Sequence, residues 1–387
     1  MNAPSRALLL LALVVAAINL RPGITSLAPL IERIADELAL SRSLISLTTA
    51  LPVLCMGLLA PFAPRLALRV GLERTVALCM GVISAALLMR LAAQSSVVLI
   101  ASAVLLGAAI AIAGPLLSGF IKRHFAGQMG TVVGWYSLSM AIGGAAGAVL
   151  TAPAAQLFGD SWPQGLAVWA LPAVLGLLLW LCLPSRAESA GAAEAGSGLP
   201  WKQPRAWMIS CFFAIQAGLF YALATWAVAR YHEAGLTLLH SNALFSISML
   251  MGMPSAFLLP WLAQRFNRYA LLVACGLVAS VSLAMITLVP TFAPEFWAVT
   301  IGFGLGGSFA LSLVLPLYEA GSPLAVSRWT AMMLCMGYCM ACLTPVLTGL
   351  ARDLAGHYQL PFMVLTSLAL LMTALAWVMR NGPRHSS

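Results

Sequence analysis

The feature that most constrains this chain is a succession of apolar runs long enough to cross a lipid bilayer. A helix needs about 20 mainly apolar residues to span the hydrocarbon core. Twelve such windows occur, at roughly 6–31, 43–64, 74–92, 97–121, 130–152, 165–183, 206–230, 239–263, 269–289, 295–317, 328–350 and 358–380. In lipid every backbone N–H and C=O must be satisfied internally, so the windows predict helices. Only 8% of the 387 residues are charged, against about 25% in soluble proteins. The expected fold is an all-α membrane protein of twelve transmembrane helices.

The net charge of +9 could point to nucleic acid, but the basic residues fall in short loops between spans. With the N-terminus inside, inner segments hold Arg6, Arg65, Arg69, Arg74, Lys122, Arg123, Arg186, Lys202, Arg205, Arg265, Arg268, Arg328, Arg380 and Arg384. Outer segments hold Arg33, Arg42, Arg90, Arg230 and Arg352, a bias of fourteen against five. Both termini are therefore expected in the cytoplasm. The eight cysteines lie almost all in apolar runs and suggest no disulfide framework. Arg6 followed by an apolar run is also the pattern of a signal peptide. Cleavage there would remove half of a span that the internal repeat requires, so the run is read as the first span.

The stretch 184–205 contains Ala-Glu-Ser-Ala-Gly-Ala-Ala-Glu-Ala-Gly-Ser-Gly, a flexible linker. It divides the chain into six-span halves, 1–183 and 206–387. The halves repeat: Pro64-Arg-Leu-Ala-Leu-Arg69 returns as Pro260-Trp-Leu-Ala-Gln-Arg265, 196 positions later, and Glu37 returns as Glu233.

Within the first run sits Asn19-Leu20-Arg21-Pro22-Gly23. An arginine inside a span costs roughly 2.5–3.5 kcal/mol on insertion scales. Pro22 and Gly23 weaken the helix beside it and release backbone groups that must face protein or water. Every Asp and Glu falls at a span end or in a loop. Arg21 is accordingly read as the contact for an anionic or strongly polar solute; the plainer alternative is an arginine bonded to the carbonyls that Pro22 leaves open. Asn19 is a second candidate, or it satisfies backbone only.

These residues carry a family resemblance. Asn19-Leu-Arg-Pro22, Thr25-Ser26, Pro29-Leu30, Leu47-Thr-Thr-Ala-Leu-Pro-Val53 with Gly57, Ile121-Lys-Arg123, Gly134-x-Tyr-Ser137, Phe220-Tyr221 with Trp226, Gly302-x-Gly-x-Gly-Gly307 and Gly337-Tyr338 with Ala341 and Pro345 resemble the major facilitator superfamily, specifically its cyanate and 2-nitroimidazole transporters. The resemblance implies two six-helix bundles in the cell (inner) membrane, a solute site near the midplane between them, alternating access and a monomer. Five departures stand out, one being Trp226-Ala-Val228 in span 7, where members commonly carry Trp-Leu-Pro. Leu68 and Gln264 occupy places where the superfamily's loops usually carry an acid. Gly114 and Leu334 occupy places where members often carry amides, implying a less polar pocket.

Further candidate solute contacts are Tyr136 and Ser137 in span 5, Gln216, Tyr221 and Trp226 in span 7, and Tyr338 in span 11. Each is weighed against ordinary packing. Gly143, Gly144, Gly147 and the span-10 glycines suit close helix contact. Histidines and acids are lacking mid-span, which favours exchange or facilitated diffusion over proton symport, with Glu319 as the one relay candidate. Cys335, Cys339 and Cys342 share a helix face beside Met332, Met336 and Met340; soft sulfur ligands select Cu(I), making metal transport an alternative. A non-transporting solute sensor is another. A membrane-embedded enzyme would need a reactive constellation inside the spans, and none is written there. No cofactor is implied.

Overall fold

The computed structural model describes residues 5–38, 42–92, 95–184 and 198–381. Most of the linker stretch 184–205 lies outside them, with Arg186, Arg384 and His385, as do the side chains of Arg42 and Leu47. Among the described residues all regular elements are helical, and twelve helices are long and apolar enough to cross a membrane. Spans 1 to 6 are Arg6–Thr25, Ala50–Val70, Leu72–Ala92, Ser96–His124, Ala126–Leu157 and Trp162–Leu181. Spans 7 to 12 are Pro204–Glu233, Leu239–Leu262, Arg268–Leu288, Pro294–Glu319, Pro323–Ala355 and Gln359–Asn381.

Local chemistry sets the span ends. Ser5, Ser95 and Thr237 accept backbone N–H bonds at the starts of spans 1, 4 and 8, and Asn267 accepts two at the start of span 9. Pro204 and Pro294 open spans 7 and 10, where a missing N–H costs nothing. Lys122, Arg123 and His124 occupy the last turn of span 4, where cations favour the open carbonyls.

The chain forms two compact units. The first comprises Met1–Ala126, Trp135–Leu199 and Ser322–Cys335; the second comprises Gly127–Gly134, Pro200–Gly321 and Met336–Ser387. The short exchanged stretches are held by close backbone approach. In the second unit Gly134 lies against the Phe257 carbonyl, and Gln264 donates to the Thr131 hydroxyl at 2.5 Å. In the first unit Gly119 lies against the Pro323 carbonyl. Gln264 thus fills its acid-replaced position with a neutral hydrogen bond.

The repeat extends to tertiary contacts. Glu37 accepts from the Trp162 indole N–H at 2.6 Å. Glu233 accepts from the Tyr358 backbone N–H at 2.9 and 3.0 Å. Both members of this pair stand 196 positions apart in the two halves. Each acid ties the outer end of its half's first segment to the start of its sixth. Glu73 pairs with Arg123 at 2.8 Å; at the same offset Tyr269 donates to Glu319, which Arg205 and Arg268 also approach at 3.5 Å. Glu319, the relay candidate, is therefore engaged in a structural ion cluster.

Two arginines assigned to outer segments are buried against protein. Arg90 is 0% exposed and Arg230 7% exposed, at the ends of spans 3 and 7. Arg230 donates to the Thr287 carbonyl at 2.7 Å and pairs with Glu233 at 3.3 Å.

The hydrogen bond from Arg33 holds the Glu37 carboxyl below the usual glutamate range, helped by the Trp162 N–H and opposed by partial burial. A depressed folded-state pKa contributes stability above the unfolded value and loses it as pH falls through the folded one. Thermal unfolding in detergent should therefore show stability lost as pH drops below the ordinary glutamate range. Glu37→Gln should be less stable than wild type at neutral pH and lack that portion of the acid dependence.

Candidate functional site

Span 1 breaks where the sequence places its arginine. The first helical segment, Arg6–Asn19, ends with Leu20 bonded back to Ala17; a single turn, Pro22–Thr25, follows. Arg21 stands between them with φ −119° and ψ −40°, and its side chain is half-buried. Its carbonyl accepts from Ile24 N at 3.0 Å and Thr25 N at 3.1 Å. Pro22 has no N–H for the Ile18 carbonyl, as a continuous helix would require.

Four elements hold this break. Span 5 brings Gly143 onto the Ile18 carbonyl so closely that a Cβ would overlap it. Gly147 packs on Pro22, where a Cβ would sit 2.8 Å from Cα, and Gly144 faces the Arg21 Cβ at an ordinary 3.5 Å. Span 6 accepts the Asn19 amide: its Nδ2 donates to Pro172 O at 2.9 Å and to Val15 O at 2.8 Å. Span 4 presses Leu106 against Gly23. Span 3 contributes Arg90, whose Nη2 donates to Gly23 O at 2.9 Å. The sequence counts Arg90 only toward orientation, at the end of an apolar run, and does not single it out as a site residue. The available signal was its position inside a window that otherwise reads as span.

The remaining candidates are distributed over both units. In the first, Tyr136 and Ser137 are buried at 3% and 2% exposure. Ser137 precedes Gly144 by seven residues, hence two turns along the face that meets Arg21, about 10 Å away. Its hydroxyl has no hydrogen-bond partner among the described residues. In the second unit Gln216 is 2% exposed; its Nε2 donates to Leu305 O at 3.1 Å while Oε1 lacks a described partner. Tyr221 is half-buried, edge-on to Phe220 at 5.4 Å. The Trp226 N–H is committed to Pro345 O at 2.8 Å, and its ring packs on Tyr358 at 5.6 Å. Tyr338 is buried edge-on to Phe213 at 6.2 Å.

The second unit also contains a cavity of about 60 Å³, walled by spans 7, 8, 9 and 10. Phe220, Leu223, Tyr231, Phe245, Met249 and Leu305 are among its lining residues. Span 7 turns Phe220 rather than Tyr221 into this cavity, and Gln216 reaches its wall through the Leu305 carbonyl. Cys335, Cys339 and Cys342 are half-buried thiols, and no group of three or more His, Cys, Asp or Glu among the described residues could hold a metal ion.

A helix interrupted at an intramembrane arginine, within twelve apolar spans, is the architecture of a solute carrier. Residues 9–327 match the family model described as Major Facilitator Superfamily. The chain belongs to the Major Facilitator Superfamily. It is a multi-pass secondary transporter and not an enzyme. The cyanate transport protein CynX of Escherichia coli (strain K12) is 33% identical over 353 residues, covering 90% of this chain and 91% of that protein. The 2-nitroimidazole transporter of the same organism is 27% identical over 377 residues, covering 96% and 95%. The E. coli fucose:proton symporter FucP shares the fold at a TM-score of 0.77 and 12% identity, covering 97% of this chain and 98% of that one.

Two departures from the transporter pattern turn out to be neighbours. A Cβ on Gly114 would lie 3.4 Å from the Leu334 Cδ1, both in the first unit. The leucine occupies the space beside the glycine, and the two form one apolar contact.

The span 5 glycines differ in what they can accept. Gly147→Ala should lower stability by about 1–3 kcal/mol through overpacking against Pro22 and depress transport. Gly144→Ala should leave both near wild type. Thermal unfolding and uptake measured side by side distinguish the two.

Proposed function

We propose that the chain moves a small anionic or planar polar solute across the membrane by alternating access, as a secondary-active or facilitative carrier. Candidate solutes are a cyanate-like anion, a nitroimidazole or a small aromatic or organic anion. The six-span halves 1–183 and 206–387 are the moving bodies, both termini are cytoplasmic, and the working unit is a monomer. The observation that carries the reading is the half-buried Arg21 at a helix break that four neighbouring elements hold in place. A guanidinium offers a planar fork of donors that matches planar oxyanions and stacks on flat rings. Held in low dielectric, it gains more from a solute's charge than it would in water.

The other contacts follow in two tiers. The Ser137 hydroxyl and the Gln216 Oε1 are buried polar atoms lacking described partners; such a group costs about 1–3 kcal/mol until satisfied, which a bound solute or water supplies. Tyr136, Tyr221 and Tyr338 offer aromatic surface for a planar ligand. Asn19 and Trp226 have their donors committed to backbone and act by holding the helices that carry the site. The apolar Gly114–Leu334 pair supports a solute less polar than cyanate itself. The two E. coli relatives, a cyanate transport protein and a 2-nitroimidazole transporter, bracket the class.

Uptake of labelled solutes into liposomes tests the reading. Arg21→Ala and Arg21→Lys should each lose roughly tenfold or more in apparent affinity, the worth of one charge-assisted hydrogen bond, while folding persists. Wild-type transport by the alanine variant would remove the basis of the proposal, and binding without flux would mark a sensor instead.

Coupling is read separately. Glu319 is engaged by Tyr269 and two arginines, and the sequence places no other acid toward mid-span. An imposed pH gradient should therefore leave solute accumulation unchanged. Strong concentrative uptake driven by protons would contradict this.

A further inference from the structure

Arg90 is the most deeply buried guanidinium among the described residues, at 0% exposure. Its Nη2 donates to Gly23 O at 2.9 Å and its Nε to Ser102 Oγ at 3.3 Å, while Ser102 donates onward to Leu99 O at 2.7 Å. Its Nη1 has no partner among the described residues, and no described carboxylate pairs with it. Burying an arginine on neutral partners alone is costly. A position needed only for packing would be better filled by leucine or methionine. The residue is there for what it donates to.

That acceptor lies at a special place. The turn Pro22–Thr25 stops after one winding, with Ser26 as its cap bonded to Pro22 O. The Gly23 carbonyl is thus among the last carbonyls of a helical segment, which lack donors from within it. Arg90 supplies the donor from a neighbouring span, two residues along the chain from Arg21. Gly23 itself is packed against Leu106, whose side chain would have to shift to admit a Cβ there. The turn is fixed from one side by packing and from another by charge.

We propose that Arg90 is a positioning residue for transport. Its buried guanidinium fixes the Pro22–Thr25 turn through the Gly23 carbonyl and so sets the direction in which Arg21 leaves the break, without itself touching solute. The inference rests on the reading of Arg21 as the solute contact. Its own test has readouts that need no solute.

The experiment compares wild type, Arg90→Met, Arg90→Lys and Ser102→Ala. Hydrogen–deuterium exchange is followed over residues 20–27. A charged methanethiosulfonate reports on an Arg21→Cys side chain with and without Arg90→Met. Uptake of labelled cyanate is measured where thermal unfolding confirms a folded protein. Arg90→Met should weaken exchange protection across 20–27 by about tenfold, with no change at 268–288. It should alter the labelling rate at position 21 and raise KM with little change in maximal rate. Arg90→Lys, which keeps a donor near Gly23, should restore part of each, and Ser102→Ala should shift them slightly. If Arg90→Met does not fold, Arg90→Lys and Ser102→Ala carry the same comparison. Unchanged exchange and labelling would overturn the proposal, as would a loss of stability and maximal rate with KM intact. Normal cyanate uptake by Arg21→Ala, alongside raised exchange in Arg90→Met, would instead remove the solute-contact reading while leaving the tie to Gly23 in place.

Discussion

A proline in a membrane span leaves a carbonyl without its helical donor, and no water in the hydrocarbon core can replace it. In the first unit that carbonyl belongs to Ile18, and the helix ends beside it instead of continuing. Span 5 must bring a glycine there, because only a bare backbone can lie over the Ile18 oxygen. The single turn after Pro22 opens a second carbonyl, at Gly23, and span 3 answers it with Arg90. Asn19 answers the geometry on the far side by bridging to span 6. The break is packed and bonded from several directions, and Arg21 sits at its centre.

The internal repeat shows what this fold conserves between its halves. Glu37 with Trp162 and Glu233 with Tyr358 preserve an acid accepting at the start of the sixth span, although one donor is an indole and the other a backbone amide. Glu73 with Arg123 and Tyr269 with Glu319 preserve a polar contact between the inner ends of spans 3 and 4, and of spans 9 and 10, while moving the acid to the other member. The geometry asks that two facing polar groups be satisfied together. Which one carries the negative charge differs between the halves, because either assignment gives the buried carboxylate a donor that offsets part of its desolvation cost. The second half adds Arg205 and Arg268 around its displaced acid, a local adjustment to the exchange.

The proposed solute contacts divide in the same way between what is charged and what is merely polar. Arg21 brings a fixed positive charge on a broken helix. Ser137 and Gln216 bring buried polar atoms with capacity to spare, each on an otherwise apolar helix. Gly114 and Leu334, apart in sequence, meet as one apolar patch.

The sequence alone determined the twelve spans, because a run of some twenty apolar residues leaves the backbone in lipid no other way to bond itself. It also located the break at Asn19–Gly23, since proline's missing donor is a local property, and the repeat at 196 positions. It did not reveal that Arg90 and Arg230, at the ends of their spans, are buried against protein. A basic residue at the end of an apolar run has the same sequence signature whether it faces headgroups or turns inward. Nor could it see that the donors of Asn19 and Trp226 are already taken, because that depends on which carbonyl a neighbouring span presents. Tertiary structure decided them: a buried polar side chain is assigned its role by the partner it meets, and that partner lies scores of residues away.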